Sequence, residues 1–402
     1  MTHIAVIGAG QAGASLVARL RSEGFEGEIT LLGDEAAPPY QRPPLSKAYL
    51  LGKLARERLF LRPEAWYGEH GVTLRTDAAV EGIDLSAKTL TLAGGETLAW
   101  DKLALCTGSR PRMLPEAIGG ALPGVLPLRS LADVDALMPL AQEGAKALIV
   151  GGGYIGLEAA AVLRSLGVEV TLLEAADRIL QRVASPETSA YYRALHASHG
   201  VDLREGAALT KILGEGKATG AELADGSTVE ADFVLVGIGV IANAEAAEAA
   251  GIAVENGAIA VDAHGRTSHP DVVAAGDCTI FPRRGAHIRL ESVQNAIDQA
   301  ENCALTLLDK PAPYDPIPWF WSDQYDVKLQ IVGLSTGYDR VIVKEGARPG
   351  SQSVWHFRGP ELLCVDAMND PRAYMTAKRW LEAGHSPDPD ALAAPDADLK
   401  AL

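Results

Sequence analysis

Cysteine is scarce and widely dispersed in this 402-residue sequence. Its four cysteines, Cys106, Cys278, Cys303 and Cys364, include no Cys-x-x-Cys pair. Isolated cysteines argue against a disulfide framework, a zinc knuckle and a local redox dithiol. We therefore predict no metal site, and we expect Cys106 and Cys278, which lie in tight turns at strand ends, to be structural.

Positive charge is in deficit, and long apolar runs are missing. The sequence has 36 Lys and Arg residues against 52 Asp and Glu, for a net charge of −16. This excess of negative charge opposes phosphate backbones and anionic lipids, so neither nucleic acid nor a membrane is predicted as a partner. No apolar stretch approaches the length of a membrane span, and residues 1–15 carry no basic leader. We expect a cytoplasmic protein.

Glycine is abundant, at 41 residues, and the first glycine-rich turn lies close to the N-terminus. The apolar run Ile4–Ile7 leads directly into Gly8-x-Gly10-x-x-Gly13. Gly8 permits the tight turn, Gly10 lets a pyrophosphate approach the backbone, and Gly13 lets the following helix pack on the strand. The pattern predicts a dinucleotide-binding βαβ unit, with ordinary turn chemistry as the alternative.

A second copy of this pattern begins near the middle of the chain. Lys146–Val150 precedes Gly151-x-Gly153-x-x-Gly156, and a further strand follows over Val168–Glu174. Two complete fingerprints are far more specific than one, because the whole strand, glycine, helix and strand context recurs. They predict two Rossmann-like domains.

Carboxylates follow the second strand of each unit. Either Asp34 or Glu35 could bind the ribose of the first dinucleotide, although both could be solvated loop acids. Glu174 favours NADH over NADPH, because a carboxylate binds a free 2′-hydroxyl and repels a 2′-phosphate. Arg178 and Arg182 follow closely and could partly accommodate such a phosphate.

Three shorter motifs lie between and beyond these units. They are Arg42-Pro-Pro-Leu-Ser-Lys47, Thr107-Gly108, and the apolar strand that ends in Gly276-Asp277. The two prolines of the first motif are expected to stiffen the entry to a helix that begins near Leu45. A buried Asp277 is costly unless it is hydrogen-bonded, and a ribityl hydroxyl is a suitable donor; a turn cap is the alternative. Ser292 is expected to cap a helix whose N-terminus could stabilise a negatively charged flavin ring.

The last part of the chain reads as a third region. Pro311–Pro318 resembles a linker, Trp319–Gln330 opens a run of alternating strands, and a final helix is predicted near Pro371–Glu382. The tail from Ser386 is rich in Pro, Asp and Ala and is expected to be loose.

The combined motifs resemble those of the NADH-dependent ferredoxin reductases of bacterial oxygenase systems, in the glutathione-reductase superfamily. The resemblance rests on both glycine fingerprints, Arg42–Lys47, Thr107-Gly108, Ala275–Cys278 and Trp319–Tyr325, and it covers nearly the whole chain apart from the tail. It implies an α/β fold with two Rossmann-like dinucleotide-binding domains and a C-terminal α+β interface domain. FAD would bind residues 1–108 and 241–318, NADH would bind 109–240, and 319–402 would form the third domain, with a loose tail from about 386.

The same resemblance implies the site residues. FAD would be bound by Gly8, Gly10, Gly13, Asp34, Glu35, Arg42, Pro44, Lys47, Thr107, Gly108, Asp277, Val293, Gln294 and Trp321, and NADH by Gly151, Gly153, Tyr154, Ile155, Gly156, Glu174 and Gly239. Lys47 would lie near the reactive flavin nitrogen and pair with Glu158. Tyr154 would cover the nicotinamide side of the flavin and move when NADH arrives. Taken singly, Lys47 and Glu158 could form an exposed ion pair of little weight, and Tyr154 could be a core aromatic.

The implied partner is a [2Fe–2S] ferredoxin that feeds a cytochrome P450 or a ring-hydroxylating dioxygenase. Such ferredoxins are usually acidic, as this chain is, so attraction has to come from a local basic patch. Arg283, Arg284 and Arg289 are predicted to form it, although arginines on a loop are often only solvated. Trp321 is predicted to mark the exit of electrons, with an aromatic core pair formed with Trp319 as the alternative.

Two alternative functions are compatible with the same two-domain fold. A disulfide- or peroxide-linked NADH oxidoreductase needs a redox cysteine where this chain has Ser46, which cannot perform thiolate chemistry. An NADH-switched, redox-sensing binding flavoprotein would keep its reduced FAD for long periods. Rapid reoxidation by an iron–sulfur partner would distinguish a reductase from both.

Overall fold

The computed structural model describes residues 1–402. The first strands are β1 His3–Ile7, β2 Glu28–Leu32, β3 Val72–Arg75, β4 Val80–Asp84, β5 Thr89–Leu92, β6 Thr97–Ala99, β7 Lys102–Leu105, β8 Ser109–Pro111, β9 Val125–Leu126, β10 Lys146–Val150, β11 Glu169–Glu174, β12 Asp202–Glu205, β13 Leu209–Leu213 and β14 Gly220–Leu223. The remaining strands are β15 Thr228–Glu230, β16 Phe233–Val236, β17 Val240–Ala242, β18 Val254–Glu255, β19 Ala258–Ala260, β20 Val272–Ala274, β21 Thr279–Arg283, β22 Ala286–Ile288, β23 Trp319–Gln324, β24 Val327–Gly333, β25 Arg340–Glu345, β26 Gln352–Arg358 and β27 Glu361–Met368. The α-helices are α1 Gln11–Ser22, α2 Glu64–Glu69, α3 Leu131–Leu137, α4 Tyr154–Ser165, α5 Pro186–Ser198, α6 Glu245–Ala249, α7 Val293–Leu307, α8 Pro371–Ala383 and α9 Pro389–Ala393.

The chain divides into two compact units, each built from three segments. Unit 1 comprises Met1–Gln41, Ala55–Arg110 and Val240–Pro316, and unit 2 comprises Arg42–Leu54, Pro111–Gly239 and Ile317–Leu402. Arg42–Leu54 therefore groups with unit 2, although it lies inside the range 1–108. The assignment of the sequence ranges to separate cofactor domains stays a prediction.

Unit 1 is organised around a parallel sheet with the strand order β20-β7-β1-β2-β3. Successive side chains of β1 point to opposite faces. Ile4 and Val6 pack in the core shared with α1 and α7, and Ala5 and Ile7 pack in the core on the other face. Burial on both faces explains why β1 is a continuous apolar run and not an alternating one.

Unit 2 contains a second parallel sheet, with the order β12-β11-β10-β16-β9, and an antiparallel sheet, with the order β23-β24-β27-β26-β25. Helix α8 places Ala373, Ala377 and Leu381 in the core on one face of the antiparallel sheet. Together with unit 1, these sheets confirm the predicted α/β architecture with two Rossmann-like sheets and a C-terminal α+β portion.

Two local expectations differ from the structure. The proline-rich stretch forms only a short 3-10 helix over Pro43–Ser46, with its two prolines in the first two positions. The tail expected to be loose contains α9, whose Leu392 is fully buried and whose backbone oxygen accepts a hydrogen bond from Lys344 Nζ. Composition alone concealed the tail's order, because only its few leucines, Leu392 among them, pack into the core of unit 2.

Candidate functional site

The three glycines of the first turn differ in whether the protein's own packing requires them. A Cβ on Gly8 would lie 2.1 Å from the carbonyl oxygen of Cys106, and a Cβ on Gly13 would lie 2.0 Å from that of Gly8. Packing within the protein therefore requires both. A Cβ on Gly10, the N-cap of α1, would meet nothing within 4 Å. Packing within the protein therefore does not require Gly10, and the open space beside it is suited to a ligand that approaches the backbone.

The second turn repeats this division. A Cβ on Gly151 would lie 2.3 Å from Gly237 O, and one on Gly156 would lie 2.1 Å from Gly151 O, whereas Gly153 again meets nothing within 4 Å. Neither α1 nor α4 has a side-chain cap or an acidic residue in its first turn. Both helix N-termini are therefore suited to a phosphate, and the glycine cradles fit two dinucleotides.

Glu174 lies at the end of β11, beside the second turn. Its Oε2 accepts a hydrogen bond from Gly152 N and its Oε1 one from Ala176 N, both at 2.8 Å. These bonds fix the carboxylate, and each oxygen keeps a lone pair for a further donor. Arg178 is engaged with Ser189 Oγ at 2.6 Å, whereas Arg182 is exposed.

The other residues assigned to the dinucleotides occupy strand ends and helix starts. At the end of β2, Asp34 is exposed and Glu35 accepts a hydrogen bond from Tyr40 OH at 2.5 Å, so both alternatives stay predictions. Asp277 follows β20 and accepts a hydrogen bond from Ser109 Oγ at 2.8 Å. The remaining positions are Thr107, whose hydroxyl donates to Asn243 O, Gly108 and Gly239 with positive φ, Ile155 exposed in the first turn of α4, and Val293 and Gln294 at the start of α7. Ser292 caps α7 as predicted, by accepting a hydrogen bond from Asn295 N.

Lys47 and Glu158 are brought together within unit 2. Lys47 Nζ lies 2.6 Å from Glu158 Oε2, and the glutamate is only 4% exposed. Ser46 Oγ donates to the same oxygen at 2.7 Å, and Ser322 Oγ donates to Oε1 at 2.7 Å. One ammonium and two hydroxyl donors satisfy the carboxylate, so this contact differs from the exposed ion pair considered as the alternative.

Tyr154 lies one helical turn before Glu158 on α4, so both side chains face the same side of the helix. Its ring packs against Phe320 of β23, with ring centroids 4.9 Å apart. The hydroxyl is buried without a hydrogen-bond partner, and burial raises the pKa of Tyr154 well above its usual value. The predicted movement of this ring on NADH binding stays a prediction.

The predicted docking arginines differ in their surroundings. Arg283 donates to Pro316 O and lies 3.5 Å from Asp315, and Arg289 pairs with Glu291 at 2.9 Å. Arg284 is exposed. Neighbouring acids thus offset part of the positive charge on which the predicted patch depends.

The remaining predicted residues of unit 2 lie at the proline-rich stretch and on β23. Arg42 donates to Arg129 O at 2.9 Å, and Pro44 forms part of the 3-10 helix. Trp321 is partly buried with its ring centroid 5.5 Å from that of Trp319, so both of its interpretations stay open.

All four cysteines are buried and free. Burial raises the thiol pKa of each, which keeps the sulfur protonated and unreactive. Cys364 also belongs to a buried cluster with His356 and Asp366, whose ligating atoms lie within 4.8 Å of one another. Burial raises the pKa of Asp366, and Thr188 Oγ1 donates to its carboxylate at 2.7 Å.

Several buried polar residues of unit 2 were not predicted from the sequence. Ser322 and Gln324 alternate with tryptophan and aspartate along β23, and Thr188, Tyr192 and His196 recur every four residues on α5. Both spacings place polar groups on one face of their element. The alternation on β23 and the four-residue spacing on α5 are visible in the sequence, but no neighbouring residue indicates that these polar faces are buried.

None of the helices combines the length and the apolar character needed to cross a membrane.

Comparison with known proteins gives two family matches. The model for pyridine nucleotide-disulphide oxidoreductases matches residues 2–300, and a model for the reductase C-terminal region matches residues 319–402. The chain is 42% identical to rhodocoxin reductase of Rhodococcus erythropolis over 99% of this chain and 93% of that protein.

Solved structures match at the level of the whole chain. The ferredoxin reductase for the CYP199A2 system from Rhodopseudomonas palustris gives a TM-score of 0.95 at 38% identity, covering 100% of this chain and 99% of that one. The covalent putidaredoxin reductase–putidaredoxin complex gives 0.94 at 38% identity, covering 99% and 97%.

Proposed function

Because the chain belongs to the pyridine nucleotide-disulphide oxidoreductase family, we propose that it is an FAD-dependent NADH:ferredoxin oxidoreductase. In this role it passes electrons from NADH to a [2Fe–2S] ferredoxin, which feeds a cytochrome P450 or a ring-hydroxylating oxygenase. The observation that carries the proposal is the pair of strand–glycine–helix turns, each with a middle glycine that the protein's own packing does not require.

The two turns would hold different dinucleotides. We assign FAD to the turn at Gly10 in unit 1 and NADH to the turn at Gly153 in unit 2. When bound, FAD supplies the conversion of a two-electron hydride donor into successive one-electron transfers. Glu174, fixed by two backbone donors, would accept a hydrogen bond from the ribose hydroxyl of NADH and would repel the 2′-phosphate of NADPH.

Lys47 and Glu158 would act at the flavin without transferring a proton in the hydride step. The Glu158 carboxylate holds the Lys47 ammonium at 2.6 Å, so the lysine presents a donor in a fixed place. Such a group would stabilise negative charge that develops on a neighbouring ring. The placement of Arg42, Pro44, Lys47 and Trp321 against FAD stays a prediction.

The disulfide-linked alternative is opposed by the chemistry of this chain. All four thiols are buried with raised pKa values, and the Ser46 hydroxyl donates a hydrogen bond to Glu158. No thiolate is therefore supplied for attack on a disulfide.

The test is NADH-driven reduction of cytochrome c by the purified holoenzyme, with and without a [2Fe–2S] ferredoxin, repeated with NADPH. We expect a rate that depends strongly on ferredoxin and a preference for NADH. Consumption of NADH by a disulfide or a peroxide, without any response to several ferredoxins, would overturn the proposal. A stable reduced flavoprotein that ferredoxin does not reoxidise would favour the redox-sensing alternative.

A further inference from the structure

Glu158 lies at one end of a chain of buried hydrogen bonds inside unit 2. Lys47 and Ser46 contact Oε2, while Ser322 alone of these residues contacts Oε1, at 2.7 Å. Ser322 is fully buried. Its hydroxyl therefore has to find its partners inside the protein.

The chain continues from Ser322 through β23 to α5. Gln324 Nε2 lies 3.2 Å from Ser322 Oγ, and Gln324 Oε1 lies 2.8 Å from His196 Nε2. Gln324 and His196 are both fully buried. Beyond them, Tyr325 OH lies 3.3 Å from His196 Nδ1, and the Tyr325 ring stacks on His199 at the end of α5.

Every bond in this chain can point the same way. The amide group of Gln324 donates to Ser322, which leaves the proton of Ser322 for Glu158. Gln324 Oε1 then requires a proton on His196 Nε2, so His196 Nδ1 is the acceptor for Tyr325. Burial lowers the pKa of His196 to about 4, which keeps the imidazole neutral and able to adopt this tautomer.

The opposite direction conflicts with an ionised Glu158. If His196 carried its proton on Nδ1, the Gln324 amide would have to flip. Its oxygen would then accept the hydrogen bond that Ser322 donates. Two oxygen acceptors would then face each other 2.7 Å apart, at Ser322 Oγ and Glu158 Oε1. A carboxylate that has little water cannot relieve this contact, because only 4% of the residue is exposed.

We propose that Ser322, Gln324 and His196 are positioning residues that hold the Glu158 carboxylate oriented toward Lys47. The three residues touch neither reactant in this role and act through Glu158. This inference rests on the proposed function, since it assigns them to the same hydride-transfer site.

The first test measures flavin reduction by NADH in a stopped-flow instrument, using the holoenzyme. We expect Ser322→Ala to lower the limiting rate about tenfold, equal to about 1.4 kcal/mol, while the Kd for NADH changes less than about twofold. Ser353→Ala is the matched control, because Ser353 is a buried hydroxyl on β26 that accepts from Trp355 Nε1. Equal effects of the two alanine variants would overturn the proposal.

A double-mutant cycle separates positioning of Glu158 from general loss of structure. In a Glu158→Gln background, Ser322→Ala should lower the rate by less than about twofold further, because the carboxylate it served is gone. Full additivity of the two substitutions would contradict the proposal. Gln324→Leu provides the same comparison if Ser322→Ala does not fold.

The second test does not depend on turnover. The 15N resonances of His196 in the holoenzyme, identified by their loss in His196→Gln, should show the proton on Nε2 near neutral pH, and Gln324→Leu should weaken that preference. A proton on Nδ1 in the wild type would overturn the direction of the chain. If NADH fails to reduce the wild-type flavin, the proposed function is wrong. The position of the His196 proton still tests the direction of the hydrogen bonds that lead to Glu158.

Discussion

His196 illustrates how burial changes the chemistry of a single residue. Its imidazole is fully buried on α5 and contacts Gln324 Oε1 through Nε2. Loss of hydration disfavours the charged form, so the pKa of His196 falls from 6.5 to about 4. The cost of protonating this ring has to appear as a dependence of stability on pH.

The free energy of unfolding should fall by about 2 kcal/mol through His196 when the pH is lowered from about 7.5 to about 5. The unfolded chain binds this proton first, because its pKa is the higher one. The contribution is therefore complete above the unfolded pKa of 6.5 and is lost as the pH falls toward about 4. Urea unfolding of the wild type and of His196→Gln at both pH values measures it.

The control for this prediction is His199→Gln, which removes an imidazole from the exposed end of the same helix. The pH-dependent difference should vanish in His196→Gln and persist in His199→Gln. An identical loss of stability in all three proteins would show that His196 is not the group responsible.

At the scale of elements, the two strand–glycine–helix turns separate residues needed for folding from residues left for a ligand. Gly8 and Gly13 have no room for a side chain, whereas Gly10, with φ −96° and ψ −160°, has both space and an ordinary backbone conformation. An alanine at each position should therefore have different consequences.

Gly10→Ala should shift the unfolding midpoint of the FAD-free protein by less than about 2 °C and weaken FAD binding about tenfold or more. Gly13→Ala should cost about 3 kcal/mol of folding stability, because its Cβ would force α1 away from β1. Thermal unfolding and the flavin content of the purified proteins measure these outcomes.

Gly153→Ala is the matched variant in the second turn. We expect it to raise the KM for NADH about tenfold with normal flavin content. Equal loss of FAD in Gly10→Ala and Gly153→Ala would contradict the assignment of one dinucleotide to each turn.

At the scale of the whole molecule, net charge constrains how a partner is recognised. The chain carries a charge of −16, and Asp315 and Glu291 lie beside two of the three arginines predicted to dock a ferredoxin. Net charge therefore supplies no long-range attraction to an acidic partner, and contact has to rely on local complementarity.

Raising the ionic strength from about 0.02 M to about 0.2 M should leave the kcat/KM for an acidic ferredoxin unchanged or higher. Screening by salt weakens the repulsion between two negatively charged proteins, and there is little attraction for it to weaken. Steady-state assays at constant NADH measure this dependence. A fall of about tenfold or more over the same range would show that a basic patch guides the encounter.

The sequence by itself determined the features that depend on short-range order. β1 and β10, the turns at Gly8 and Gly151, and the Ser292 cap follow from apolar runs, glycine spacing and capping chemistry within a few residues. The two parallel sheets followed as well, because each such turn lies between parallel strands of a βαβ unit.

Only the tertiary structure decided the surroundings of Glu158, the packing of Leu392 and the pairing of the arginines that are predicted to dock a ferredoxin. Ser322 reaches Glu158 across 164 positions of sequence, and Arg283 reaches Pro316 across 33. The period of a strand or helix shows which residues share a face, but it does not show what that face meets. Burial and ion pairing are properties of the assembled chain, and they decide here which polar residues are exposed and which hold the carboxylate of Glu158.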